Sequence, residues 1–421
     1  PVKGEMHEYF HPFEHRQVGS GLDISSLWIL SERSKIERFD QSASLSSHLM
    51  AEERSPKAEN SKSYEGVVPY GYHMDATLMS RFLRRKAVEV GVIHIEGTVN
   101  KVDTAETNIS AVHTEHGIHT ADFFIDCTGF KGLLINKLKE DNWNSFEDAL
   151  PCNKAVAMQV ALKEGEIPKP YTTATALDCG WAWQIDLVNR RGTGYVYDGN
   201  KLTPEEAESA LIAHNGSDAK VLKTVHLNMS IGCRKEFWVG NCISIGLSGG
   251  FIEPLESTGL HLINIGVRLL ATHLSSLDVP QVVRDSYNRF LNGAYEDLKQ
   301  FIVAHYCLTD RTDTDFWIKA AESVKYCPEL ERNLSVWKHK VCEYFDLAGG
   351  YSTTFTDENY RFILYGMQHI PHLSMGVDNE ESNKLFNKLA RQATQTVNYT
   401  LSHKDFLESL HGKSIEQIKA E

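Results

Sequence analysis

Positive charge is in short supply: Lys and Arg number 43 against 56 Asp and Glu, a formal net charge of −13 over 421 residues. Nucleic-acid binding draws its affinity from cations that neutralise phosphates, so a polyanion partner is excluded. The one dense basic cluster, Arg84-Arg85-Lys86, lies in a helix-like stretch and reads as a solvated face. Close cysteine pairs are lacking too. Cys127, Cys152, Cys179, Cys233, Cys242, Cys307, Cys327 and Cys342 are scattered, without C-x-x-C or zinc spacing. They read as reduced, mostly buried thiols of a cytoplasmic protein. No apolar run approaches the length that spans a bilayer and no signal peptide is visible, although the chain begins at Pro1 rather than Met. Internal repeats and low-complexity tracts are absent. What is present, 42% hydrophobic and 24% charged residues, suits a large globular enzyme with two layers or subdomains around one cleft.

Asp75 precedes an apolar periodicity carried by Leu78, Met79, Phe82, Leu83, Ala87 and Val90, with Gly91 as the stop, which predicts an amphipathic helix. Three runs follow, 92–102, 109–113 and 118–125, and predict strands, the last two joined by Glu115-His116-Gly117. The third enters Asp126-Cys127-Thr128-Gly129, which turns beside a ligand or simply turns. His113, Glu115, His116 and His119 span this hairpin with alternating exposure, so no metal site is expected. A second sheet is predicted across 156–197, including Gly180-Trp181-Ala182-Trp183-Gln184-Ile185 and Gly194-Tyr195-Val196-Tyr197. The strand-like stretch 237–247 leads into a Gly-rich turn, and beyond Gly259 the chain reads as helical. Leu260, Ile263, Val267, Leu270 and Leu274 predict one face of a buried helix, and Leu385, Leu389, Ala393 and Val397 another apolar face.

The densest chemistry lies in Phe251-Ile252-Glu253-Pro254-Leu255-Glu256-Ser257-Thr258-Gly259, between a strand and a helix. The first amides of a helix lack intrahelical partners and carry the positive end of its dipole, so they suit a halide or a flavin carbonyl oxygen. On the residues alone, Ser257 or Thr258 as a plain cap, with Glu253 and Glu256 as first-turn charges, is the favoured reading.

The full string resembles the signature of the flavin-dependent tryptophan halogenases. In the same order, so do Tyr72-His73-Met74-Asp75-Ala76, the stretch from Ile125 to Asn136, Gly180 to Ile185, Gly194 to Tyr197, and Ala304-His305-Tyr306. The resemblance implies an α/β (α+β) fold. A monooxygenase-like FAD-binding sheet domain at 1–275 would carry a substrate-clamp segment at 9–13, and a mostly helical substrate-binding part would occupy 276–421. It implies that FADH2 from a separate NAD(P)H-dependent flavin reductase reacts with O2 to a flavin hydroperoxide, which chloride or bromide attacks. The hypohalous species then halogenates tryptophan, indole or a related small aromatic ring.

Position by position, the resemblance makes Glu256 catalytic and a substrate contact, and Thr258 and Gly259 the halide site. Leu247 and Leu260 line the flavin, Ser257 links flavin to substrate, and Val99 contacts the nucleotide end. His11 and Phe13 match an aromatic clamp on one face of the substrate, Phe355 stands where the family usually has Trp on the other, and Asn359 lies at the rim. Trp181 and Trp183 match the pair that separates halogenases from ordinary flavin monooxygenases, in a pattern that normally closes with Pro where Asp186 stands.

The chain contains no G-x-G-x-x-G fingerprint, and the stretch that holds the family's catalytic lysine is missing with it. A fragment beginning after both is therefore expected, with weak or no FAD binding and negligible halogenation. The stretch 317–359 is shorter than in enzymes acting on free tryptophan, which points to indole or an indole derivative. The competing readings are a flavin-dependent aromatic hydroxylase and a non-catalytic remnant serving as a binding module.

Overall fold

The computed structural model describes residues 7–14, 18–19, 22–347 and 354–419. Its largest sheet has five antiparallel strands in the order Val221–Asn228, Lys154–Val160, Arg191–Tyr197, Gly180–Asp186, Thr173–Leu177. Successive residues alternate faces, as a strand requires. Tyr195 and Tyr197 pack with Val156 and Met158 against Ala207 and Leu211 of the helix Pro204–Asn215, while Val196 and Trp181 join the main core. A proline in the first turn and a Thr203–Glu206 capping box start that helix. Neither it nor the strand Val221–Asn228 was expected from the sequence.

The core spans the sheets and the C-terminal helices. Ile24 and Trp28 from the first helix, Phe237 and Trp238 beyond the large sheet, and Tyr287, Leu298 and Phe301 of the long helix Gln281–Cys307 belong to one buried cluster. The stretch predicted as one strand at 237–247 breaks at Gly240-Asn241 into Trp238–Val239 and Cys242–Ser244. Cys242–Ser244 runs parallel to Phe124–Asp126, so two distant chain segments end side by side. At that end Asp126 is fully buried; its Oδ2 accepts from the Leu134 and Ile135 amides, each at 2.9 Å, and its Oδ1 from Thr128 N–H, also at 2.9 Å. The turn after Asp126 is thus tied to the protein's own backbone, and Phe130 from it packs on Phe251 with centroids 5.5 Å apart.

Two expectations need correction. The run 92–102 forms a strand only from Lys101, and among the described residues 92–100 carry no strand; that strand heads the meander Lys101–Ala105, Asn108–Thr114, Gly117–His119. The helix Gly259–His273 is not buried all round. It buries Leu262, Gly266 and Leu270 and leaves Leu260, Ile263 and Val267 exposed, because the helix Gln281–Cys307 packs on one side only. The helix Asn379–Tyr399 buries Leu389 and Ala393 of its expected face, with Leu385 packed on the core and Val397 half-buried, and adds Ser382 and Phe386.

The predicted helix from Asp75 forms as Ala76–Glu89, with the Asp75 carboxylate accepting from Thr77 and Leu78 N–H at 2.8 and 3.0 Å. Its apolar stripe is uncovered among the described residues: none of its residues is buried, and Leu78, Phe82 and Leu83 are all exposed. Val90 and Ile93 just beyond it are 82% and 85% exposed. No helix among the described residues is long and apolar enough to cross a membrane.

Candidate active site

The segment Phe251–Gly259 is anchored along its length, with Glu253 and Thr258 buried and Ser257 and Gly259 exposed. Gly250–Phe251 forms a short strand against Gly232–Arg234, Pro254–Glu256 makes one 3-10 turn, and Ser257 takes a left-handed conformation at φ 55°. A non-glycine residue there carries a cost of about 1 kcal/mol or more, a feature that clusters at ligand sites. The helix Gly259–His273 begins immediately after. Thr258 occupies its cap position without a side-chain capping bond, so the plain capping reading does not describe it.

The two glutamates have different surroundings, and neither is an ordinary first-turn charge. Glu253 is fully buried. Its Oε2 accepts from the Tyr306 hydroxyl at 2.5 Å and from Trp181 Nε1–H at 3.2 Å, and its Oε1 from Cys152 N–H at 3.3 Å. Burial pushes its pKa up to about 7, against the pull of those three donors. Glu256 lies between two imidazoles, with Oε2 3.1 Å from His11 Nδ1 and Oε1 2.9 Å from His305 Nε2. Burial alone would favour its neutral acid, but the imidazoles of His11 and His305 outweigh it and hold the carboxyl well below the usual range.

His11 is held on its other side by Asn359, whose Nδ2 is 3.0 Å from His11 Nε2. Asn359 in turn belongs to the capping box of the helix Asp357–Gly366. Around His11 stand Phe301, Phe355 and Phe362 at centroid distances of 5.9, 6.1 and 6.3 Å. Phe355 stacks on Phe301 at 3.9 Å. An aromatic guest sandwiched between His11 and Phe355 needs about 7 Å, two contact distances of ~3.5 Å, so those rings must part to admit one. Phe13 is 68% exposed and lies against Gly71. The structure therefore gathers His11, Glu256, Phe355 and Asn359, and leaves Phe13 outside that cluster.

On the opposite side of Ser257 the surface is open. A side chain at Gly259 would meet nothing within 4 Å, and Leu247 and Leu260 are 42% and 69% exposed. The first intrahelical bond runs from Leu262 N–H to Thr258 O, leaving earlier amides without helical partners. This apolar-edged ledge beside a positive helix end fits the flat ring of a flavin and a small anion. Val99 is half-buried on the extended approach to the meander, joined to it by Asn100 N–H donating to His113 O at 3.0 Å.

Trp181 and Trp183 have separate tasks. Trp181 is a buried donor to Glu253, whereas Trp183 lies across the strand pair on Gly194, where a Cβ would come within 2.0 Å of its ring. Asp186, which replaces the family's proline, is buried and accepts from Arg191 Nε and Nη2 at 2.7 and 3.1 Å and from Lys169 N–H at 3.1 Å. The hairpin end is thus fixed by an ion pair. In the meander, His113 faces Asp103, His116 the Glu96 carbonyl and His119 the Thr114 hydroxyl, each engaged separately.

Sequence reasoning missed the roles of Glu253, His305 and Tyr306. The signal was two glutamates three residues apart on a turn, matched by consecutive His and Tyr on a helix.

The tryptophan halogenase family pattern matches residues 3–380. The tryptophan 6-halogenase of Streptomyces toxytricini is 34% identical over 356 residues, 79% of this chain and 68% of that protein. Its crystal structure matches with a TM-score of 0.88 at 32% identity, covering 96% of this chain and 82% of that one. The tryptophan 6-halogenase of Streptomyces albogriseolus is 31% identical over 433 residues, 98% of this chain and 81% of its own length. A tryptophan C-6 flavin-dependent halogenase (chlorinase) from taromycin biosynthesis matches in structure with a TM-score of 0.87 at 32% identity, over 96% of this chain and 83% of its own. Against one further relative, a 7-chloro-L-tryptophan 6-halogenase of Kutzneria, the match spans 64% of the relative's length. With its pattern, sequence identity and fold in agreement, the chain belongs to the tryptophan halogenase family of flavin-dependent oxidoreductases.

Proposed function

We propose that this protein serves an FADH2- and O2-dependent halogenation, in which chloride or bromide replaces a ring hydrogen of tryptophan, indole or a related aromatic. A separate NAD(P)H-dependent reductase supplies FADH2. Reduced FAD, when bound, would activate O2, which supplies the oxidising equivalent that makes the halide an electrophile. The observation that carries the reading is what flanks Ser257 in the chain: before it a carboxylate held by two imidazoles, and after it an open helix start.

On the substrate side, His11 and Phe355 provide aromatic walls and Asn359 the rim. Glu256 holds the electrophile or polarises the ring, stabilises the cation that builds on it and accepts the departing proton. On the other side, the Thr258 and Gly259 amides hold halide, Leu247 and Leu260 meet the flavin ring, Ser257 couples the two sides, and Val99 faces the nucleotide end.

The test uses protein expressed from the complete gene, with reduced FAD, O2, bromide and either tryptophan or indole, read by mass spectrometry. A brominated product that disappears without bromide supports the reading. A hydroxylated product indifferent to bromide identifies a hydroxylase, and binding without turnover identifies a binding module. Gly259→Pro, tolerated at the first position of a helix, removes the Gly259 amide N–H and is expected to raise the bromide requirement while flavin binding stays intact.

A further inference from the structure

We infer that His305 is the positioning residue of Glu256, a doubly protonated imidazole that grips this carboxylate and turns it toward the substrate side. Its part in halogenation rests on the function proposed above; its double protonation rests on its two partners, the Phe301 carbonyl and an ionised Glu256.

The protons can be counted from the partners. His305 Nδ1 is 2.8 Å from the Phe301 carbonyl one turn earlier in the same helix, an oxygen that only accepts. That nitrogen therefore carries hydrogen. Nε2 is 2.9 Å from Glu256 Oε1, and an ionised carboxylate also only accepts. With acceptors on both sides, the ring makes both bonds only when doubly protonated.

His11 reads differently. Asn359 Oδ1 is occupied by Thr356 N–H at 2.9 Å and the Thr356 hydroxyl at 3.3 Å, which fixes the amide so that Nδ2–H points at His11 Nε2. His11 Nε2 accepts there, so its single hydrogen is on Nδ1 and is donated to Glu256. One neutral and one charged imidazole thus grip the two carboxylate oxygens. Tyr9 is the other titratable group that feels Glu256; burial first, then the Glu256 charge, pushes its pKa up, so it stays neutral.

The neighbouring residue strengthens the case. Tyr306, next along the helix Gln281–Cys307, donates to Glu253, so consecutive helix residues hold both glutamates of the segment. Tyr306 anchors its start and His305 aims its reactive end.

The 421-residue chain is labelled with 15N-histidine and 13C-glutamate for NMR. The His305 ring, assigned by its loss in His305→Gln, is expected to show two protonated nitrogens at about pH 7.5, a unit above the ordinary histidine value, and His11 one. In His305→Gln, which keeps a donor but no charge, the Glu256 carboxyl is expected to titrate about one pH unit higher or more. A singly protonated His305, or an unmoved Glu256 titration in the folded variant, overturns the inference. Should His305→Gln fail to fold, Glu256→Gln takes its place: one imidazole must pass from doubly to singly protonated, and no change overturns the inference. In protein from the complete gene, His305→Gln is expected to lower kcat chiefly on the acid side of the pH profile with KM little changed, and His305→Lys to restore part of it. Halogenation with a neutral His305 sinks the positioning role and leaves the proposed function standing. A charged His305 without any halogenation does the reverse.

Discussion

Replacing Trp181 with Phe removes one of the three donors to the buried Glu253 carboxyl, the indole N–H at 3.2 Å. The loss should depend on pH. Burial raises the folded pKa of Glu253 to about 7 from an unperturbed 4.5, so the folded state keeps a proton that the unfolded state has released. The stability linked to that proton is fully present below the unfolded value and is lost as pH rises through about 7, a change on the order of 3 kcal/mol at 1.36 kcal/mol per unit. A hydrogen bond to an ionised acceptor contributes about 1.5–3 kcal/mol and one to a neutral acceptor about 0.5–1.5. Trp181→Phe should therefore destabilise by about 1 kcal/mol more at about pH 8.5 than at about pH 5.5, above a packing loss common to both. Urea unfolding followed by circular dichroism at the two pH values gives the comparison, and other titrating groups cancel in the difference from wild type. Equal losses at both pH values would refute the assignment of Trp181 as a donor to an ionisable Glu253.

Arg361, 1% exposed, faces Asp23, Asp357 and Glu343 at 3.2, 2.8 and 3.3 Å and donates from Nε to the Cys342 carbonyl. Arg361→Met leaves those carboxylates without their common cation and should cost about 3–5 kcal/mol by denaturant midpoint; a loss under about 1 kcal/mol contradicts the reading. The uncovered stripe at Leu78, Phe82, Leu83, Val90 and Ile93 should make the chain bind a hydrophobic dye. Phe82→Glu should weaken that binding with Tm unchanged, and a large fall in Tm would show that the stripe is packed after all.

The sequence made most of the fold legible where the pattern was local. The Asp75 cap and Gly91 stop bracket the helix because both act within one turn, and the alternation around Trp181 and Tyr195 reveals a sheet because a strand's period is two. Failures came where tertiary partners decide. Periodicity gives the apolar positions of Gly259–His273, but it cannot say that Leu262, Gly266 and Leu270 meet a neighbour while Leu260 meets none. The site divides in the same way. Glu256 and His11 were readable from the resemblance, and the structure joins them 245 residues apart. The burial of Glu253 and the bond to His305 depend on how a helix end meets a turn, which no local pattern encodes.

The most direct test of the central claim compares wild-type protein from the complete gene with Glu256→Gln, supplied with reduced FAD, O2, bromide and the aromatic substrate. If this carboxylate stabilises the ring cation, brominated product should fall by about a hundredfold while oxygen-dependent FADH2 oxidation continues at its wild-type rate. Bromination at full rate in Glu256→Gln would contradict the account.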